Sequence, residues 1–308
     1  MPSILPLVAG AALALAGPHA ETDPATLPQP PVGAIPDEVL TAAREARHLP
    51  LPDRMEAVSR VLLGRPYVAD PMGEGTGYDA DPVARYDAFD CLTFTEEVLA
   101  LSLAGDPAHA GPIRAALRYD DADIDYVSRR HFMELQWVPS VLRDGWLEDT
   151  TSDYGDVRHM EKVVDDQTWS GWGPRARFQH SDDQLPSGTM SLDVLPLDRA
   201  IEVAESIRPG SVILTVREDR AGVPIWTTHV GFVVHTEDGV RLRHATKLGS
   251  GGTKEHSLRW YLEHIRSYRW KVAGITVLEP LELGPRLVPA TDVDGPPREA
   301  ALPPAPPE

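Results

Sequence analysis

The sequence predicts an α+β fold, with helices in its first half and an antiparallel sheet in its second. Three observations predict it. Apolar residues recur at helical spacing up to Asp149, the spacing switches to period two after Arg208, and turn signals separate the runs that follow. Among the helices, Asp37–His48 carries Val39, Ala42, Ala43 and Ala46, and Pro52–Leu63 carries Met55, Val58, Val61 and Leu62. Asp37 and Asp53 act as their N-terminal signals. A loop rich in Gly, Pro and Asp follows, from Gly64 to Asp87. The next helix starts at Cys91. Thr93, Glu96, Glu97 and Ala100 form its polar face, and Leu92, Phe94, Val98, Leu99, Leu101 and Leu103 cover the rest, the pattern of a core helix. Pro112–Asp149 forms a second helical region.

Residues 150–190 are polar and punctuated by Trp and Gly, with few strand signals. They are expected to form a long loop-like insertion, and ordered insertions of this kind are commonly functional. The strands are Ser211–Val216, Thr228–Val234, Val240–Thr246 and Lys271–Leu278, with a helix over Ser257–Ser267 before the last. No internal repeat or long linker divides the middle, so residues 37–283 are read as one domain.

The ends read differently. From Ile4 to Ala16 the chain is apolar for about 13 residues, too short to span a bilayer but suited to a signal peptide. Ala14-Leu15-Ala16 fits the small-x-small cleavage rule, and a cut after Ala20 is also open. Residues 1–20 are therefore read as a signal peptide, 21–36 as a disordered spacer and the Pro-rich 284–308 as a disordered tail. Export to the periplasm is the expectation, with no transmembrane span and a monomeric protein. The formal charge of −18 argues against a nucleic-acid partner, because that surface needs clustered Lys and Arg.

Cys91 is the only cysteine of the 308 residues, so it has no partner for an internal disulfide. A lone cysteine is commonly a small buried hydrophobe. At a helix N-terminus, however, unpaired N–H groups and the helix dipole favour a thiolate.

Two histidines on the predicted hairpin give a thiol a possible partner. With a Thr236–Gly239 loop, His235 pairs with Val240 and His244 falls opposite Gly231. His244 is then the diagonal neighbour of His229, about 7–8 Å away between backbones. A tighter Asp238-Gly239 turn keeps both on one face but moves His244 opposite Val233, too far along the strand. A base that takes the thiol proton and a third group that fixes its tautomer make a nucleophilic set. Two alternatives stand beside it: His229 as a hydrogen-bonded core residue with His244 as a half-exposed strand residue, and a zinc site of His229, His235, His244 and Asp90. No His-Glu-x-x-His or paired-cysteine motif supports the metal, and no cofactor is expected. His256 and His264 read as surface residues.

Asp90-Cys91-x-x-Phe94, Thr228-His229-Val230-Gly231-Phe232 and His244-Ala245-Thr246, in that order, resemble the NlpC-type papain-like cysteine peptidases of bacterial cell walls. Arg118-Tyr119, Tyr126, Arg129, His131-Phe132, Trp137 and Asp149-Thr150 further resemble the N-acetylmuramoyl-L-alanine amidase-like branch. The resemblance covers most of residues 53–282. It implies a papain-like NlpC-type fold, with Cys91 as nucleophile, His229 as general base and His244 as the orienting third member. Leu92-Thr93 stands where better-known members have Ser-Gly, which is a feature of the amidase-like branch.

The implied substrate is peptidoglycan or its muropeptides, cut at the N-acetylmuramoyl-L-alanine amide. A D-Glu–diamino acid endopeptidase, an acyl transferase or thioesterase, and a non-catalytic wall-binding module are the alternatives. Tyr86, five residues before Cys91, is a candidate for the cleft wall or for plain packing. Arg118, Arg129 and His131 are candidates for binding the anionic substrate, or ordinary surface charges.

Overall fold

The computed structural model describes residues 34–282. The expected signal peptide at 1–20, most of the expected 21–36 spacer and the expected 284–308 tail fall outside the described residues. Within them run helices α1 (Asp37–Ala46), α2 (Leu51–Arg60), α3 (Cys91–Leu103), α4 (Ala110–Arg118) and α5 (Val138–Arg143), then strands β1 (Leu147–Asp149) and β2 (Arg158–Val164). Next come α6 (Asp166–Gly171), β3 (Gly188–Pro196), α7 (Leu197–Val203), β4 (Val212–Arg217), β5 (Thr227–Thr236), β6 (Gly239–Thr246), β7 (Gly252–Ser257), α8 (Leu258–Ile265) and β8 (Val272–Pro280). The sheet runs β2-β3-β8-β4-β5-β6-β7, with β1 also paired to β8, and every strand pairing is antiparallel. Helices and an antiparallel sheet make the fold α+β.

Strand alternation divides the core in two. Val212, Leu214, Val230, Phe232 and Val234 belong to the cluster that holds α3, with Phe94 stacked on Phe232 at 5.7 Å between centroids. Ile213, Val233, Leu242, Ile275 and Val277 face the other way, against Ala200 and Ile201 of α7 and Leu258, Leu262 and Ile265 of α8. Successive residues of one strand therefore serve two helical layers, which is why these strands read as nearly continuous apolar runs.

The expected loop over 150–190 is not all loop. β2 and β3 pair from Arg158↔Val194 to Val164↔Gly188 and extend the sheet beyond β8. The reason is visible in β2, Arg-His-Met-Glu-Lys-Val-Val, an edge strand whose exposed positions are polar or charged except Val163. Charged edges blunt strand-to-strand aggregation and also erase the apolar signature of a strand. β7, Gly-Thr-Lys-Glu-His-Ser, escaped notice for the same reason. Among the described residues no helix is long and apolar enough to cross a membrane.

Candidate active site

Asp90 starts α3 with a reciprocal cap. Its Oδ1 accepts from the Thr93 N–H at 2.8 Å, and the Asp90 N–H donates to Thr93 Oγ1 at 3.1 Å. A side-chain oxygen at the cap and an acceptor three residues later satisfy two otherwise orphaned donors. Asp90 Oδ2 also accepts the Asp70 N–H at 3.2 Å, tying the preceding loop to the helix start. Cys91 is thus mounted at the first position of a buried helix.

Cys91 is half-buried, and the Val230 N–H on β5 favours a charge on its sulfur. Burial, and after it the Asp90 carboxylate, push the thiol up to about 12. The N–H groups of Val230, Leu92 and Cys91 oppose this without overcoming it. The helix N-terminus alone predicts a thiolate; the capping aspartate and burial reverse that expectation. A neutral thiol is the resting form.

β5 and β6 pair from Phe232↔Arg243 to Thr236↔Gly239, with His235 opposite Val240. This is the register that sets His244 level with Gly231 and diagonal to His229. The imidazoles meet: His229 Nε2 and His244 Nδ1 are 2.7 Å apart, with ring planes at 82°. His244 is fully buried. Burial, and then the charge on His256, hold His229 down to about 4, and burial with its imidazole neighbours and Lys254 keeps His244 well below the ordinary histidine range. Both rings rest neutral.

Tyr261 of α8 supports the pair. Its ring lies 5.9 Å from His229 and 5.4 Å from His244, and its hydroxyl is 2.8 Å from Thr215 Oγ1. A negative charge on Cys91 raises the Tyr261 phenol and that of half-buried Tyr67, so the thiol lies within electrostatic reach of both. No hydrogen bond joins thiol and imidazole in this resting arrangement, which is common before substrate closes a site. An open cleft of about 470 Å³, lined by Asp70, Tyr78, Asp79, Asp81, Tyr126 and Arg177, adjoins α3 through the Asp70–Asp90 bond.

Gly231 allows the two strands to approach. A Cβ there would stand 2.9 Å from His244 Cβ, 3.0 Å from Leu242 Cδ1 and 3.1 Å from the Arg243 carbonyl. Gly231→Ala must therefore shift β6 or the His244 ring. We expect turnover to fall on the order of 10²-fold and stability by about 1–3 kcal/mol, read as kcat and as a urea midpoint. Wild-type turnover in this variant would mean that the imidazole contact is dispensable.

The remaining predicted residues lie elsewhere. Tyr86 faces the interior, its hydroxyl donating to Glu97 Oε2 at 3.0 Å and accepting from Arg114 Nη2 at 3.0 Å. The tyrosine at the thiol is Tyr67, hidden in the Gly64–Asp87 loop, where no periodicity marks it. Arg118 is buried against Glu96, with Nε 2.8 Å from Oε2. Arg129 bonds Asp79 at 2.7 Å and the Met72 carbonyl at 2.8 Å, and lies over the Tyr126 ring. His131 bonds the Tyr126 carbonyl at 2.7 Å and packs on Tyr126 and His180; burial holds it down to about 3. The structure joins His229 to His244, sets Cys91 at the start of α3, and engages Tyr86, Arg118, Arg129 and His131 in internal contacts.

The sketched zinc set does not converge, because His235 Nε2 bonds the Ile207 carbonyl at 2.9 Å. Among the described residues no cluster of three or more His, Cys, Asp or Glu is arranged to hold a metal ion. His256, read as a surface residue, instead bonds His244: its Nδ1 lies 2.9 Å from His244 Nε2. Recognising β7 as a strand is the signal that would have found it.

Comparison with known proteins gives this geometry a family. No curated protein matches the chain. Among solved structures, a Legionella pneumophila protein of the DUF1460 family is similar at 20% identity and TM-score 0.68, covering 79% of this chain and 95% of its own. An N-acetylmuramoyl-L-alanine amidase from Bacteroides uniformis is similar at 20% identity and TM-score 0.59, covering 75% and 98%. A Bacteroides fragilis chain named provisionally as a xylanase is similar at 21% identity and TM-score 0.54, covering 70% and 96%. At such identities the likeness is one of fold. The AmiA-like family model, described as N-acetylmuramoyl-L-alanine amidase-like, matches residues 57–267, which include Cys91, His229, His244 and His256. With more than half of its length matched by that model, the chain belongs to the N-acetylmuramoyl-L-alanine amidase-like family.

Proposed function

We propose that this protein is an exported thiol amidase of peptidoglycan, papain-like in mechanism, that cuts the bond between N-acetylmuramic acid and L-alanine. The family supports an enzyme that hydrolyses peptidoglycan. The observation that carries the thiol reading is the 2.7 Å bond between His229 Nε2 and His244 Nδ1, on the strand whose Val230 N–H favours a charge on the Cys91 sulfur. Export rests on the apolar run Ile4–Ala16.

The bond uses Nε2 of His229 and leaves Nδ1 for the thiol proton. Because thiol and imidazole both rest neutral, proton transfer accompanies attack rather than preceding it. Sγ bonds the lactyl carbonyl carbon as its proton passes to His229 Nδ1, and N–H groups at the α3 N-terminus are suited to the oxyanion. The C–N bond then breaks and His229 protonates the leaving L-alanine amine. Water, deprotonated by His229, cleaves the thioester and returns the thiol.

Digestion of purified muropeptides tests this by product mass. Separation of the disaccharide from the intact stem peptide is expected. Cleavage within the stem, after D-Glu, would make the enzyme an endopeptidase. No mass change that depends on Cys91 would leave a wall-binding module.

The acid limb of kcat/KM follows from His229. The base works only when neutral, and its pKa is depressed to about 4, so activity is present above that value and lost as pH falls through it. The limb is therefore expected near pH 4, where an unperturbed histidine would put it near 6.5. A limb at 6.5 or above would contradict the buried, neutral imidazole.

A further inference from the structure

We propose that His256 is a positioning residue that fixes the direction of the hydrogen bonds behind the catalytic base. This rests on the reading of His229 as the base of Cys91.

The three histidines descend diagonally across three neighbouring strands. His244 is level with Gly231 and diagonal to His229 across β5 and β6; it pairs with Lys254 and is diagonal to His256 across β6 and β7. The chain reads His229 Nε2···Nδ1 His244 Nε2···Nδ1 His256, at 2.7 Å and 2.9 Å. His244 is fully buried, and both its nitrogens are used within the chain. His256 is half-buried and held by stacking on Trp260, with centroids 4.8 Å apart and planes at 22°; Trp260 in turn stacks on His264 at 4.9 Å and 11°.

Proton counting gives this chain a function. Each neutral imidazole carries one N–H, so the two bonds must point the same way. Pointing outward, His229 donates to His244, His244 donates to His256, and His229 Nδ1 has an open lone pair that can take the thiol proton. Pointing inward, His256 donates to His244 and His244 donates to His229. The only proton of His229 then sits on Nδ1, and the ring cannot serve as a base toward Cys91. A neutral His256 that offers Nδ1 as an acceptor and keeps its proton on Nε2 selects the outward direction. His244 cannot make this choice alone, because among the described residues its buried Nε2 meets only the His256 ring.

Two variants and one spectroscopic readout test the assignment. His256→Phe keeps the stack on Trp260 and removes the acceptor; His256→Gln restores an acceptor oxygen. We expect His256→Phe to lower kcat by about 10- to 100-fold, the usual size for a group acting through its neighbour, with KM within twofold of wild type. His256→Gln should recover most of the loss. In the folded, 15N-histidine-labelled protein, His244 should be the Nε2–H tautomer in wild type and in His256→Gln, and should lose that single tautomer in His256→Phe.

An unchanged His244 tautomer in His256→Phe overturns the proposal, as does kcat within twofold of wild type. A loss not recovered by His256→Gln, with the tautomer intact, would assign His256 a packing role and also overturn it. If muropeptide cleavage proves independent of Cys91, the thiol reading fails, and the nitrogen spectra still decide which way the imidazole chain points.

Discussion

Cys91→Ser is expected to lower amide cleavage by on the order of 10⁴-fold or more, the scale on which nucleophile and triad losses fall. A hydroxyl occupies nearly the same space, so the cap from Asp90 should persist and the variant should fold. The loss is chemical. His229, depressed to about 4, is a weak base. It can deprotonate a thiol during attack, but an alcohol is several pK units less acidic than a thiol. Turnover of muropeptides under single-turnover conditions measures the effect, with thermal unfolding as the control for folding. A Cys91→Ser enzyme within tenfold of wild type would remove the thiol from the mechanism.

The largest expected loss of stability comes from Arg118→Ala, at about 3–5 kcal/mol, the usual result of leaving a buried charge without its partner. That is a large share of the 5–15 kcal/mol typical of a folded domain. Arg118 Nε is 2.8 Å from Glu96 Oε2, Nη2 is 3.6 Å from Glu97 Oε1, and Nη1 donates to the Val83 carbonyl at 2.8 Å. Glu96 accepts only one other side-chain bond, from Trp137 Nε1 at 3.0 Å. Even with Arg118 present, burial raises the Glu96 carboxyl above its ordinary value. Without the arginine it rises further.

A folded-state pKa above the unfolded one confers stability that is complete below the unfolded value and lost as pH rises through the folded value. The defect in Arg118→Ala should therefore be smaller at pH 5 than at pH 8. Urea unfolding at the two pH values measures this. An equal loss at both would place the cost in packing instead of in the stranded carboxylate.

Much of the nucleophile's setting was legible in the chain. Asp90 and Thr93, three apart, announce a helix start, and the apolar residues behind Cys91 announce a buried helix. The four strands that present the hydrophobic face of the sheet were also legible, because β4 and β8 bury both faces in apolar runs and β5 and β6 keep an apolar centre between turn signals. The meeting of His229 with His244 was readable as one of two registers. Choosing between them needed the observed pairing of Thr236 with Gly239.

Charged residues hid the rest. β2 and β7 are strands by pairing and not by hydrophobicity, since both lie at sheet edges and carry mostly polar and charged residues where the edge meets water. Missing β7 concealed His256, whose role depends wholly on the strand it occupies. Arg118 and Arg129 have the composition of an anion-binding surface, yet each is surrounded by carboxylates distant in sequence. Glu96 and Glu97 on α3 claim the first; Asp79 and Glu74 in the Gly64–Asp87 loop claim the second.

By itself, then, the sequence determined which residue types could do chemistry and the local elements that carry them: a capped helix under a lone thiol, and two histidines on one face of a hairpin. Local signals suffice there because capping and alternation act over three or four residues. The tertiary structure alone decided protonation and partnership. The thiol rests neutral because burial and Asp90 outweigh the helix dipole, the arginines are committed to buried carboxylates, and a third imidazole stands behind His244. Each is set by groups far apart in the chain, whose desolvation and proximity exist only once the sheet has brought them together.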